Sequence, residues 1–416
     1  MKTSLTKKQI IIAAALILVL GILSGCIFRQ FPLPTQDPTE ATQGAFTNEV
    51  THDEQYMRKL DYILTLIEQR HIDGLDYDKL EDLLAQAVID ATGDRWSYYL
   101  DAESYQKYLE QFNNAYVGIG VTIQASANEQ KGPFLIAAVT SGGSAEEAGL
   151  QVGDTLTAVD GNDTSALTLA ETQKLVRGTE GTTVKLTILR GGQTLELTVT
   201  RRTIQVPVVS YEMLDGNIGY IKISNFDTNC AAETIAAVDD LRARKAEGIV
   251  FDLRFNPGGM KNELVKILDY LLPEGPLFRS VDYTGKESVD YSDANFVDLP
   301  FAVLVNGDSY SAAEFFAAAI QEYEAGVVIG TKTCGKANYQ QTYQLPDGSA
   351  VGVSTGHYQT PKGVTLKDIG VTPDYPVEVD DETYSKIYYG QLDKADDEQL
   401  KTAVSALRER IDRKQQ

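Results

Sequence analysis

Three cysteines, three histidines and a single tryptophan are all that 416 residues hold of these types, and each scarcity removes a class of chemistry. Cys26 closes the N-terminal apolar run, which leaves Cys230 and Cys334 far apart in sequence. No disulfide framework can be read from two such residues, and a tetrahedral thiolate site lacks its ligands. His52, His71 and His357 are scattered without metal-ligand spacing, so no metal and no cofactor are expected. Positive charge is scarce as well. Against 59 acidic residues stand 37 basic ones, a net charge of -22 that repels phosphate backbones and argues against nucleic acid as a partner. What remains is ordinary for a folded chain, 43% apolar and 23% charged, and long enough for two or three domains.

The N-terminus speaks to location. Lys2, Lys7 and Lys8 precede an uncharged apolar run from Ile10 to Leu23, the pattern of a secretory signal. The run ends in Leu23-Ser24-Gly25-Cys26, which resembles a bacterial lipobox, with Cys26 as the lipid attachment site. Ile27 and Phe28 extend the run to 19 residues, enough for a single-pass helix with its lysines inside, and this is the alternative anchor. Either one places the remaining chain outside the cytoplasm, tethered to the membrane.

Six segments are expected. Residues 1–26 are the signal or anchor, and 27–51, with Pro32, Pro34 and Pro38, form a flexible linker. Residues 52–113 form a helical region, because apolar residues recur at Met57, Leu60, Leu64 and Ile67 and again at Leu80, Leu83, Leu84, Ala87 and Val88. The first stripe is expected as core, a dimer seam being the alternative. From 114 to 203 short alternating runs such as Val184–Leu189 and Leu195–Val199 are punctuated by glycine, as in a small β-rich domain. From 204 to 392 strands and helices alternate: strand Ile249–Leu253, helix from about Met260 to Leu271, strand Ala302–Val305, helix Ala312–Tyr323 and strand Val327–Ile329. That order implies an α/β core with a covered sheet. Residues 393–416 form a helical tail that packs on the core or on a second subunit.

In the β-rich segment, Gly118-Ile119-Gly120-Val121 opens a predicted strand whose amides can turn toward an anion. Ser144 to Asp154 and Ala158-Val159-Asp160-Gly161 follow downstream. A turn whose glycines serve only positive φ explains any one of these segments alone. Together they resemble a PDZ domain. The resemblance implies that a substrate's C-terminal carboxylate sits on the amides of Ile119 to Val121 while the peptide adds a strand to the sheet edge.

Three segments of the α/β core can carry chemistry. Asp252-Leu253-Arg254-Phe255-Asn256-Pro257-Gly258-Gly259 ends a strand in a turn that exposes amides, suited either to a developing oxyanion or to an ordinary tight loop. Asn306 to Glu314 places Ser311 where a helix begins. There it is either an N-cap or a nucleophile beside the amide of Ala312. Gly330 to Gln340 mimics a phosphate loop, but Ala337 lacks the magnesium-binding hydroxyl and no helix start follows. A base for Ser311 is needed, and His357 lies in an apparently β-rich stretch. A lysine serves if burial lowers its pKa toward neutrality, which points to Lys336, with Gln340 able to orient it without adding charge.

In order and spacing these residues resemble the carboxy-terminal processing peptidases, PDZ-containing Ser/Lys serine proteases. The match also takes in Gly93-Asp94 through Leu100, Gly219 to Ile223 with Phe226, Tyr358-x2-Pro361-x-Gly363 and Gly370-Val371-x-Pro373-Asp374. The resemblance implies a multidomain α/β and β architecture: an N-terminal helical region, a PDZ domain and an α/β protease core of the ClpP/crotonase-like type. It implies Ser311 as nucleophile, Lys336 as general base, Gln340 as the group positioning the lysine, and the amides of Gly258 and Ala312 as the oxyanion hole. It also implies, as partners, polypeptides with exposed C-termini, and a PDZ domain that presents them and, as in some relatives, gates the site; a homo-oligomer or an activating partner stays open. Tyr310, Ala313 and Cys334 depart from the family's usual residues, and a thiol at Cys334 is expected to be open to redox control. Glu322 is expected as a solvated helix residue. Two other readings are a silent PDZ adaptor and an enzyme of coenzyme A thioesters. Ser311, Lys336 and Gln340 together oppose the first, the PDZ segments and export signal the second.

Overall fold

The computed structural model describes residues 54–125 and 131–415, so the expected signal, Cys26 and the linker lie outside the described residues. The chain divides into two compact units, one of residues up to Leu109 together with Val208 onward, the other Glu110–Pro207.

The first unit is built on a sheet with the order 209–214, 218–223, 248–252, 301–305, 326–330 and 375–376, parallel except at its first pair. Strands Gly248–Asp252 and Phe301–Val305 are buried throughout, as parallel strands covered on both faces must be. Alternate residues serve the two faces. Ile249, Phe251, Val303 and Val305 pack among the helices Cys230–Ala243, Lys261–Leu271 and Ala312–Glu322. Val250, Ala302 and Leu304 meet Leu400, Ala403, Leu407 and Ile411 of the final helix, Glu398–Gln415. The tail therefore packs on the core.

A second sheet in this unit has the order 98–100, 350–359, 275–282 and 287–292, with Asn338–Gln344 also paired to 350–359. Through Tyr98–Leu100 the N-terminal region joins the core directly. Its first two helices, Glu54–Arg70 and Tyr77–Asp90, bury little. Met57 is exposed, Leu60, Leu64 and Ile67 are half-buried, and Leu83 and Val88 are exposed. The expectation that the first stripe is core is thus corrected: helical periodicity reports an apolar face, and the described residues cover this one only in part.

In the second unit a sheet runs 121–124, 134–139, 155–159, 183–190 and 193–200, leaving Val121–Gln124 at its edge. Phe134, Leu156, Val184, Leu186, Ile188 and Val199 are fully buried between this sheet and its helices. Gly118, Ile119 and Gly120 do not open that strand. Gly118 ends strand Ala115–Gly118, and Ile119 and Gly120 link it to Val121–Gln124, with Gly120 at φ +76, a conformation a side chain strains.

Candidate active site

Ser311 stands between strand Phe301–Val305 and helix Ala312–Glu322, at φ 56 and ψ -126, a region that residues with a Cβ rarely enter. The surroundings enforce it. Tyr310 N donates to the Asn256 carbonyl at 3.1 Å, and the Ser309 hydroxyl donates to the Leu253 carbonyl at 2.7 Å. Ser311 is only 1% exposed, and its hydroxyl has no hydrogen-bond partner. By position Ser311 is the N-cap of that helix, and Glu314 returns the capping-box bond to its amide, but its own hydroxyl makes no bond to the helix amides as a capping serine's ordinarily does.

Glu314 takes over the helix start, and sequence reading gave it no role. It is fully buried, and its Oε2 accepts from Ser311 N at 2.9 Å and from Lys336 N at 2.8 Å. Its Oε1 accepts from Thr333 Oγ1 at 2.5 Å and Gly335 N at 2.7 Å. Burial pushes the carboxyl up, and these four donors oppose the shift. One carboxylate oxygen thereby joins the backbones of Ser311 and Lys336. The Ser-x-x-Glu spacing signals a carboxylate at a helix start but not its bonds to a loop far downstream.

Lys336 follows strand Gly326–Gly330 and precedes Asn338–Gln344; no helix follows it, which removes the phosphate-loop resemblance. Its side chain is fully buried, and Nζ has no hydrogen-bond partner. Loss of water pulls its pKa down to about 7, against the opposing influence of Cys334, Glu314 and Asp94. Nζ lies 4.9 Å from the centre of the Trp96 ring and 6.0 Å from that of Tyr310. Gln340 is fully buried, and its Nε2 donates to Ser354 Oγ at 2.9 Å, which fixes the amide.

Gly258 is pressed against Ser311. A Cβ there, at φ +90, would lie 2.7 Å from Ser311 Cβ and 2.9 Å from Ala312 N, so only glycine fits. Its N–H, however, donates to Asn256 Oδ1 at 2.8 Å. The amide of Ala312 opens its helix, where the first N–H groups have no acceptor within the helix.

Asp252 and Arg254, read as part of the oxyanion turn, instead form a buried tie. Arg254 reaches Asp252 Oδ2 at 2.6 Å, Asp397 Oδ2 at 2.8 Å and Gln399 Oε1 at 3.0 Å, fastening the end of strand Gly248–Asp252 to the start of the final helix. Glu322 is likewise not simply solvated: it accepts from Thr360 Oγ1 at 2.6 Å and Lys362 N at 2.8 Å, tying its helix to the turn at Pro361. Cys334 is half-buried, and burial raises its thiol pKa, the opposite of what a reactive thiolate needs.

A strained serine, a dry lysine and a separate unit with an open sheet edge are the parts of a peptide-cleaving enzyme that carries its own peptide-binding module. Comparisons with known proteins agree. The model for peptidase family S41 matches residues 217–377 and that for the PDZ domain residues 135–190. The carboxy-terminal processing protease CtpA of Bacillus subtilis (strain 168) is 32% identical over 339 residues, 81% of this chain and 72% of that protein. The carboxyl-terminal-processing protease of Synechocystis is 35% identical over 281 residues, 65% of this chain and 66% of that one. Among solved structures, a photosystem II D1 C-terminal processing protease is 25% identical with a TM-score of 0.45, covering 78% of this chain and 87% of that one. The chain belongs to the carboxy-terminal processing serine proteases of peptidase family S41, with a PDZ domain.

Proposed function

We propose that this chain is an extracytoplasmic endopeptidase, anchored to the membrane at its N-terminus, that recognises substrate C-termini through its PDZ domain and cleaves by a Ser311/Lys336 mechanism. The observation that carries the mechanism is Lys336 itself, a fully buried amine whose pKa of about 7 makes it a usable base at neutral pH, joined to Ser311 through Glu314. Neutral Lys336 takes the Ser311 proton as Oγ attacks the peptide carbonyl, then gives that proton to the departing amine. A water activated by Lys336 releases the acyl group. In this reading Gln340 orients the lysine during attack, although in the structure its Nε2 donates to Ser354 and no bond reaches Nζ. The developing oxyanion falls to the Ala312 amide and to that of Gly258, which must first exchange its bond with Asn256. Anchoring, by lipid on Cys26 or by the apolar helix, rests on the N-terminal sequence alone; no helix of the described residues is long and apolar enough to cross a membrane.

The test is covalent. A fluorophosphonate, which labels activated serines, is expected to modify the full-length protein at Ser311 and to leave Ser311→Ala and Lys336→Ala unlabelled, with both variants folded and unable to cut an unstructured polypeptide. Labelling at another serine, or equal labelling of Lys336→Ala, would remove the mechanism.

A further inference from the structure

We infer that Trp96 is a positioning residue for Lys336: its indole face, with the ring of Tyr310, forms an aromatic wall that holds Nζ and receives the positive charge when the lysine takes the serine proton. This deepens the Ser311/Lys336 reading and rests on it. The Trp96 and Tyr310 rings lie 6.2 Å apart, tilted by 32°, and Lys336 Nζ sits 4.9 Å from one and 6.0 Å from the other. No hydrogen-bond acceptor reaches Nζ. The turn that carries the indole is held firmly. Asp94 accepts from Trp96 N at 3.1 Å and from the Ser97 hydroxyl at 2.7 Å, the Ser97 hydroxyl accepts from Ser354 N at 3.1 Å, and Ser354 Oγ accepts from Gln340 at 2.9 Å. The loop bearing Trp96 is thus fastened to the strands that carry Gln340 and Ser354.

The chemistry gives this wall a purpose. During attack the Ser311 O–H bond breaks, the oxygen's electron pair bonds to the carbonyl carbon, and the proton forms a new bond to Nζ. An ammonium then appears where burial has removed water. A carboxylate in contact would stabilise it but would also keep the resting amine protonated, and so useless as a base. Aromatic faces attract the cation more weakly, leaving the resting amine free to be neutral while lowering the barrier to its protonation. The charged and titratable groups around Lys336 are Glu314 on the helix, Cys334 on its own loop, Asp94 and Arg95 on the Trp96 turn, and Tyr310. Arg95 lies 4.5 Å from the centre of the same indole and 3.7 Å from Asp368, so the ring is shared between two cations.

Because Trp96 is the chain's single tryptophan, its emission reads this contact directly. In full-length wild type and in Ser311→Ala, tryptophan emission is expected to change with pH around a midpoint near 7, and in Lys336→Met the change should vanish. In Trp96→Leu, kcat is expected to fall about tenfold with KM nearly unchanged, the acid limb of the rate profile moving to lower pH as the ammonium loses its support. Trp96→Phe should recover most of the rate. A flat emission profile in wild type, a transition that persists in Lys336→Met, or Trp96→Leu with wild-type rate and limb would each overturn the inference. If Trp96→Leu does not fold, the emission titration and Trp96→Phe decide. Cleavage surviving in Lys336→Met would instead remove the general-base reading and leave the emission result standing.

Discussion

At the scale of residues, Glu314 connects the proposed nucleophile and base, since its Oε2 accepts from the amides of both Ser311 and Lys336. Glu314→Gln puts an NH2 group among N–H donors, so the two backbones should shift apart. Cleavage should fall about a hundredfold, mostly in kcat, and a change confined to KM would contradict the role. Lys336 carries a stability consequence. Its folded pKa of about 7 lies below the ordinary 10.5, so between those values the unfolded chain binds a proton that the folded chain lacks. Folding is therefore penalised fully below the lower value, and the penalty fades as pH rises to the higher one. Lys336→Met should stabilise the protein by about 4 kcal/mol at neutral pH and by almost nothing above pH 10.5. Denaturant midpoints at the two pH values check this, and no gain at neutral pH would contradict it. Ser311 and Lys336 were legible because their types and spacing are local to two short segments. The backbone strain at Ser311 and the reach of Glu314 and Trp96 were not, because they depend on segments brought together only by the fold.

At the scale of elements, apolar runs announce the parallel strands, and the structure places them within a residue or two of expectation at 248–252, 301–305 and 326–330. The second sheet was less visible. Strands such as Asn338–Gln344 and Glu287–Ser292 carry mostly polar residues, so no alternation marks them. The Asp252–Arg254 pair was visible, but its partner Asp397 lies in the tail, and its job is to fasten that helix rather than to serve the oxyanion. Arg254→Met would strand two buried carboxylates and should destabilise the protein by about 3 to 5 kcal/mol. Burial alone would raise the Asp252 carboxyl, but the charge and hydrogen bonds of Arg254, with Tyr220, bring it below its ordinary value. The stabilisation is therefore present above the ordinary carboxylate range and fades as pH falls through the lowered pKa. Denaturant unfolding of Arg254→Met and wild type should converge in strong acid, and an equal gap at every pH would contradict this.

At the scale of the molecule, a peptide-binding unit and a cleaving unit share one chain, and separate substitutions should separate their contributions. Gly120 sits at φ +76, and a Cβ there would lie 3.1 Å from Thr140. Gly120→Val should distort the amides proposed to receive a substrate's carboxylate, raising KM for a polypeptide about tenfold while leaving fluorophosphonate labelling of Ser311 unchanged. Loss of labelling together with peptide recognition would contradict that division of labour. The most direct test of the catalytic assignment is the pH dependence of kcat/KM for an unstructured polypeptide. The Ser311/Lys336 mechanism predicts a rising limb governed by one ionisation near pH 7 and no cleavage at any pH in folded Lys336→Ala. Cleavage by Lys336→Ala along the wild-type profile would contradict it.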